Sequence, residues 1–75
     1  MSFEGVYING ERNGHANEYN EGILIFEGEY LYDEKNGKGK EYYDDGKLKF
    51  EGEYLNGERK GKGKYYKNGI IIKES

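Results

Sequence analysis

Phe-Glu-Gly occurs three times in this chain, at residues 3–5, 26–28 and 50–52, and each Phe stands 11 residues before a Gly, at 14, 37 and 61. A period of 23 to 24 residues (26 − 3 and 50 − 26) marks a tandem array of supersecondary units that bury their apolar surface by stacking on one another. Three units are about the minimum for such an array. A residue type that returns at the same place in every unit is explained by packing more simply than by chemistry, so the pattern speaks first to architecture.

Each unit is written in short alternating runs separated by turn residues. The third reads Phe50 to Leu55, Asn56-Gly57, a run from Gly61 to Tyr66, then Asn68-Gly69. Asn-Gly also stands at 9–10, 13–14 and 36–37, with Asp45-Gly46 as the equivalent in the middle unit. These pairs tolerate the positive φ of tight hairpins and predict chain reversals. Helix is disfavoured by 13 Gly and a single Ala, with no sustained apolar stripe of helical period.

Alternation sorts the side chains onto two faces. Phe50, Gly52 and Tyr54 share one face, as do Phe26, Gly28 and Tyr30, and Phe3, Gly5 and Tyr7. Leu24, Leu48 and Ile71 extend that face backwards along their strands. On the returning strands Gly61, Gly63 and Tyr65 fall together, matched by Gly37, Gly39 and Tyr43 one unit earlier. Glycine weakens a strand, so its recurrence predicts aromatic rings lying over bare backbone. The other face carries Glu27, Glu29, Glu51 and Glu53 against Lys38, Lys40, Lys62 and Lys64, a solvated ladder of opposite charges. In the first unit Ala16 replaces Gly, and His15 and Asn17 replace the Lys pair. The middle unit has one extra residue between Gly39 and Gly46, an insertion that a bulge would absorb.

Seventy-five residues form at most one domain, read as 1–75 with repeats 3–25, 26–49 and 50–69 and a closing edge strand 70–73. Charged residues make up 36% of the chain, yet nine Tyr, three Phe and a net charge of only −3 set it apart from disordered segments. No Cys is present, so neither a disulfide framework nor a thiolate metal site exists. No apolar run approaches the roughly 18–20 residues that span a bilayer, and the first residues lack the pattern of a signal peptide. A cytoplasmic location is expected. A pI near 5.2 predicts no nucleic-acid partner.

Catalytic machinery is not expected. Nucleophilic catalysis needs a hydroxyl, thiol or amine held by a base, and the hydroxymethyl side chains are Ser2 and Ser75 alone, with no Thr. His15 is the single imidazole, which excludes multi-histidine metal sites. Pairs such as Glu27 and Glu29 repeat between units, as a solvated face does and an acid–base dyad does not. Gly-Lys-Gly-Lys at 37–40 and 61–64 lacks the spacing and the following helix of a phosphate loop. Accordingly no catalytic, cofactor-binding or metal residue is assigned, and no cofactor. Arg59, Lys60, Lys62 and Lys64 form the one local basic cluster, a candidate anionic-ligand patch.

The ordered combination Phe-Glu-Gly-Glu-Tyr, an Asn-Gly turn, Gly-x-Gly, an aromatic run and a second Asn-Gly, seen from Phe50 to Gly69, resembles the MORN (membrane occupation and recognition nexus) repeat. Phe26 to Gly46 is similar, and Phe3 to Gly22 matches in its first half. Tyr7, Tyr30 and Tyr54 stand where Trp is common, Val6 where Glu is expected. The middle unit also resembles a shorter bacterial variant, some members of which are labelled antitoxin-like. The resemblance implies an all-β fold, an elongated single-layer antiparallel meander of tandem β-hairpin repeats. It also implies a non-enzymatic protein-interaction or scaffold module that self-associates as a homo-oligomer. A lipid-headgroup or membrane-surface binder and an antitoxin-like inhibitor are the alternatives.

Overall fold

Pairs of residues with positive φ decide where the chain reverses. Asn9-Gly10, Glu21-Gly22, Tyr32-Asp33, Asn56-Gly57 and Asn68-Gly69 each have both φ values between 50° and 86°, the signature of two-residue type I′ hairpins. Between these turns the computed structural model, which describes residues 1–74, has seven strands: β1 (Ser2–Ile8), β2 (Glu11–Asn20), β3 (Ile23–Leu31), β4 (Glu34–Tyr42), β5 (Leu48–Leu55), β6 (Glu58–Lys67) and β7 (Ile70–Glu74). Ser75, the last residue of the domain read from the sequence, lies outside the described residues. The strands form one antiparallel meander in chain order. Its extents of 39 × 29 × 13 Å are those of a single layer, as expected.

Two expected turns are bulges instead. Asn13-Gly14 and Asn36-Gly37 lie inside β2 and β4, with positive φ at the glycine only. Register shifts between Gly5 and Val6, between Gly28 and Tyr30, and between Gly52 and Glu53 place the extra residues around Gly14, Gly37 and Gly61. The middle hairpin turns at Tyr32-Asp33, where Asp33 N–H donates to the Arg12 carbonyl at 2.9 Å.

The insertion in the middle unit is likewise placed differently, in the turn rather than in a bulge. Residues 43–47 join β4 to β5, closed by Tyr43 N–H to the Lys47 carbonyl (2.8 Å) and Gly46 N–H to the Tyr43 carbonyl (2.9 Å). Tyr43 therefore leaves the strand. The residue paired with Phe50 is Glu41, as Tyr65 is on its other side.

A second set of bulges corrects the faces. The register skips Ile25, Lys49 and Ile72, so that Leu24, Leu48 and Ile71 pair with Tyr19, Tyr42 and Tyr66. One skipped residue transfers a side chain to the opposite face. The Tyr42 and Tyr66 hydroxyls donate to Glu27 and Glu51, on the charged face, which places Leu24, Leu48 and Ile71 there too rather than beside Phe26 and Phe50.

What survives these shifts is one unbroken row. Gly5 pairs with Ala16, Ala16 with Gly28, Gly28 with Gly39, Gly39 with Gly52, and Gly52 with Gly63. Six strands thus meet at residues with little or no side chain, and the core of Ala16, Phe26, Tyr30, Phe50 and Tyr54, flanked by Phe3 and Tyr65, sits along it.

Candidate functional site

The rings form a zigzag across one face. Tyr7, Phe3, Tyr30, Phe26, Tyr54, Phe50 and Tyr65 follow one another at centroid distances of 4.8–5.8 Å, all but the last contact edge-on. Edge-to-face geometry is the favoured approach of ring quadrupoles. The sequence predicts rings lying over bare backbone, and the structure shows this at four glycines of the row. A Cβ on Gly28, Gly39, Gly52 or Gly63 would approach Phe26 or Phe50 ring atoms to 2.5–2.8 Å.

This face is capped by three cations, of which the sequence singled out Arg59 alone, and as part of a basic cluster rather than as a cap. Arg12 lies over Phe3 and Tyr30, Lys35 over Phe26 (4.1 Å) and Tyr54, and Arg59 over Phe50 (4.5 Å) and Tyr65. Each stands nine residues after its unit's Phe, a regularity present in the sequence but obscured by the mixture of Arg and Lys. The third cap is the most tightly held. Arg59 grips Glu41 through Nε (2.8 Å) and Nη2 (2.7 Å), and the Tyr54 hydroxyl donates to the same carboxylate. Burial opposes ionisation of Glu41, but the Arg59 and Tyr54 hydrogen bonds outweigh it and hold the carboxyl below its ordinary range. Burial, with Glu41 beside it, pushes the Tyr54 hydroxyl up.

The first cap is built otherwise. Arg12 Nε donates to Asp33 Oδ1 at 2.7 Å, and Glu18 lies farther off at 3.9 Å. The Tyr30 hydroxyl, in the place of Tyr54's, is buried with no hydrogen-bond partner. Hydrogen bonds from the Arg12 backbone and side chain lower the Asp33 carboxyl.

The opposite face is a charge ladder, with an open trough of about 460 Å³ running along the glycine row. Glu27 pairs with Lys40, Lys40 with Glu51, and Glu51 with Lys64. Glu53 is opposite Lys38 of the preceding unit on one side and Lys60 on the other, because Lys62 falls in a bulge. The Lys40–Glu51 approach is 3.9 Å and His15 Nε2 lies 3.6 Å from Glu27, both solvent-exposed. Such pairs set register more than they stabilise.

The basic cluster Arg59, Lys60, Lys62 and Lys64 is not one patch. Arg59 is on the aromatic face, neutralised by Glu41, whereas Lys62 and Lys64 line a hollow on the opposite face with Glu51 and Glu74. Lys60 faces Glu53 on that same side. Tyr43 is also apart from the ring row, its hydroxyl donating to the Tyr66 carbonyl at 2.9 Å.

Exposed apolar side chains concentrate at the two sheet edges. β1 presents Val6, Tyr7 and Ile8, and β7 presents Ile70, Ile71 and Ile72. Each edge leaves a line of backbone donors and acceptors unpaired within the sheet.

Comparison with protein-family models returns the MORN repeat three times, over residues 3–19, 26–47 and 50–70. No curated protein matches the chain.

Proposed function

From the premise that this chain belongs to the MORN repeat family, a non-catalytic repeat family often engaged in protein or membrane interactions, we propose that it is a protein-binding scaffold that holds its partner along an unpaired strand edge. The observation that carries this reading is where satisfaction runs out. The aromatic face is capped by Arg12, Lys35 and Arg59, and the other face is a solvated ladder in which Glu and Lys stand opposite one another. Among the described residues, the two edge strands combine unpaired backbone with exposed aliphatic and aromatic side chains, the combination that strand addition uses. A membrane surface would need a coherent basic patch; Arg59 leaves it for the aromatic face, and Lys60 and Lys64 stand opposite Glu53 and Glu51.

The test is amide hydrogen exchange of the chain bound to its affinity-purified protein partner, alongside co-sedimentation with vesicles of anionic phospholipid. Protection is expected at β1 or β7 amides, with no vesicle binding. Vesicle binding that is lost in the Lys62→Glu, Lys64→Glu double variant would overturn the reading in favour of a lipid ligand.

A further inference from the structure

We propose that the partner at the β1 edge is a second copy of this chain, joined strand to strand about a two-fold axis midway between the two copies of Gly5. The assignment rests on the edge-binding reading above and adds the occupant, the edge and the register.

The sheet follows one rule across five strand pairs: the glycine of one strand, or Ala16 in its place, lies opposite the glycine of the next. Applying that rule to the free side of β1 sets Gly5 opposite a small residue on an antiparallel neighbour. A second β1 supplies one. With Gly5 facing the partner's Gly5, Phe3 lies opposite the partner's Tyr7, Tyr7 opposite the partner's Phe3, and Glu4 opposite the partner's Val6. A two-fold axis normal to the sheet keeps the aromatic faces on the same side, so the contact is isologous and closes at two copies.

The ring row also stops short at this edge. Tyr30 packs between Phe3 and Phe26, and Tyr54 between Phe26 and Phe50, whereas Tyr7 touches Phe3 alone and is more than half exposed. Its uncovered flank is the one on which Tyr30 and Tyr54 each receive the Phe of the preceding unit. In the paired arrangement the partner's Phe3 comes to that flank. Directly opposed aromatic residues on antiparallel strands stabilise the pairing.

The other edge does not fit this role. Lys73 lies opposite Tyr65 at the place where Phe26 and Phe50 lie opposite Glu18 and Glu41, and its ammonium reaches over the Tyr65 ring. A lysine on an edge strand discourages further pairing. Joining β7 of one copy to β1 of the next, with aromatic faces aligned, would be parallel, because both are odd-numbered strands of an alternating meander.

The test is sedimentation equilibrium of the full chain with two exposed-site variants, Tyr7→Lys and Ile71→Lys, each checked for strand content by circular dichroism. A wild-type dimer is expected, weakened at least about tenfold by Tyr7→Lys and unchanged by Ile71→Lys. Because the chain has no native Cys, the register can be read separately. Mixing Glu4→Cys chains with Val6→Cys chains under mild oxidation should give a disulfide-linked dimer that neither variant gives alone. The proposal fails if the wild-type chain is monomeric, if Ile71→Lys rather than Tyr7→Lys dissociates it, or if each Cys variant cross-links alone as readily as the mixture. A monomeric chain would remove the second copy as occupant, whereas the broader edge-binding reading is decided by the exchange footprint and the vesicles.

Discussion

The Phe26 ring occupies the space that a side chain on Gly39 would need. A Cβ built on Gly39 would lie 2.8 Å from Phe26 Cζ and 2.9 Å from Tyr54 Cε1. Two strands and two repeat units converge on that single hydrogen-only position. The fold of this thin sheet is best understood as that relationship repeated, with Phe50 over Gly63 as its next instance.

Ala16 is the exception within the row and permits a direct test of crowding. A Cβ on Gly5 would meet the Ala16 Cβ at 2.6 Å. Gly5→Ala is expected to destabilise by about 1–3 kcal/mol, as overpacking does. In a double-mutant cycle read by urea denaturation, Ala16→Gly should recover part of that loss. Strict additivity of the two changes would contradict the contact.

Tyr30 and Tyr54 hold equivalent places with different hydrogen bonding. Tyr54 donates to a charged carboxylate, a bond whose loss costs about 1.5–3 kcal/mol. The Tyr30 hydroxyl is buried without a partner, so removing it costs little or stabilises. Tyr54→Phe should therefore lower the denaturation midpoint clearly, and Tyr30→Phe should leave it unchanged or raise it. Equal losses would show that the two hydroxyls are held alike.

Glu41 gives the stability a pH dependence of known sign. Its folded carboxyl titrates below the ordinary 4.5, so its contribution is fully present above that value and is lost as pH falls through the lower, folded value. The gap in Tm between the wild-type chain and Glu41→Gln should be constant near neutrality and shrink in acid. A gap that widens in acid would contradict the Arg59 and Tyr54 assignment.

Tyr32 is exposed at the first position of a type I′ turn with φ of 50°, a conformation that costs a bulky side chain about 1 kcal/mol and Asn less. Tyr32→Asn is expected to raise Tm by a few degrees. No gain would show that the turn is not strained by its tyrosine.

Much of the architecture was legible because the Phe-Glu-Gly body and its ring partner are written within single strands, where alternation alone sorts the faces. What misled was chemistry shared by two structures. Asn-Gly encodes positive φ, which serves a hairpin at Asn56-Gly57 and a bulge at Asn36-Gly37, and only cross-strand register separates the cases. The same register, invisible in a local window, moved Leu24 and Leu48 to the charged face and put Glu41 where Tyr43 was expected. Arg59 shows the limit most plainly. Read along the chain it belongs with Lys60, Lys62 and Lys64, yet a strand sends neighbours to opposite faces, and its partner Glu41 is 18 residues away.

The central claim is that bare backbone beneath the rings holds the sheet together while the opposite face only decorates it. Comparing the urea denaturation midpoints of Gly39→Ala and Glu53→Gln tests this most directly. Gly39→Ala should lose about 1–3 kcal/mol, and Glu53→Gln less than about 0.5 kcal/mol, as surface changes do. Equal midpoints for the two variants, or a larger loss at Glu53, would contradict the account.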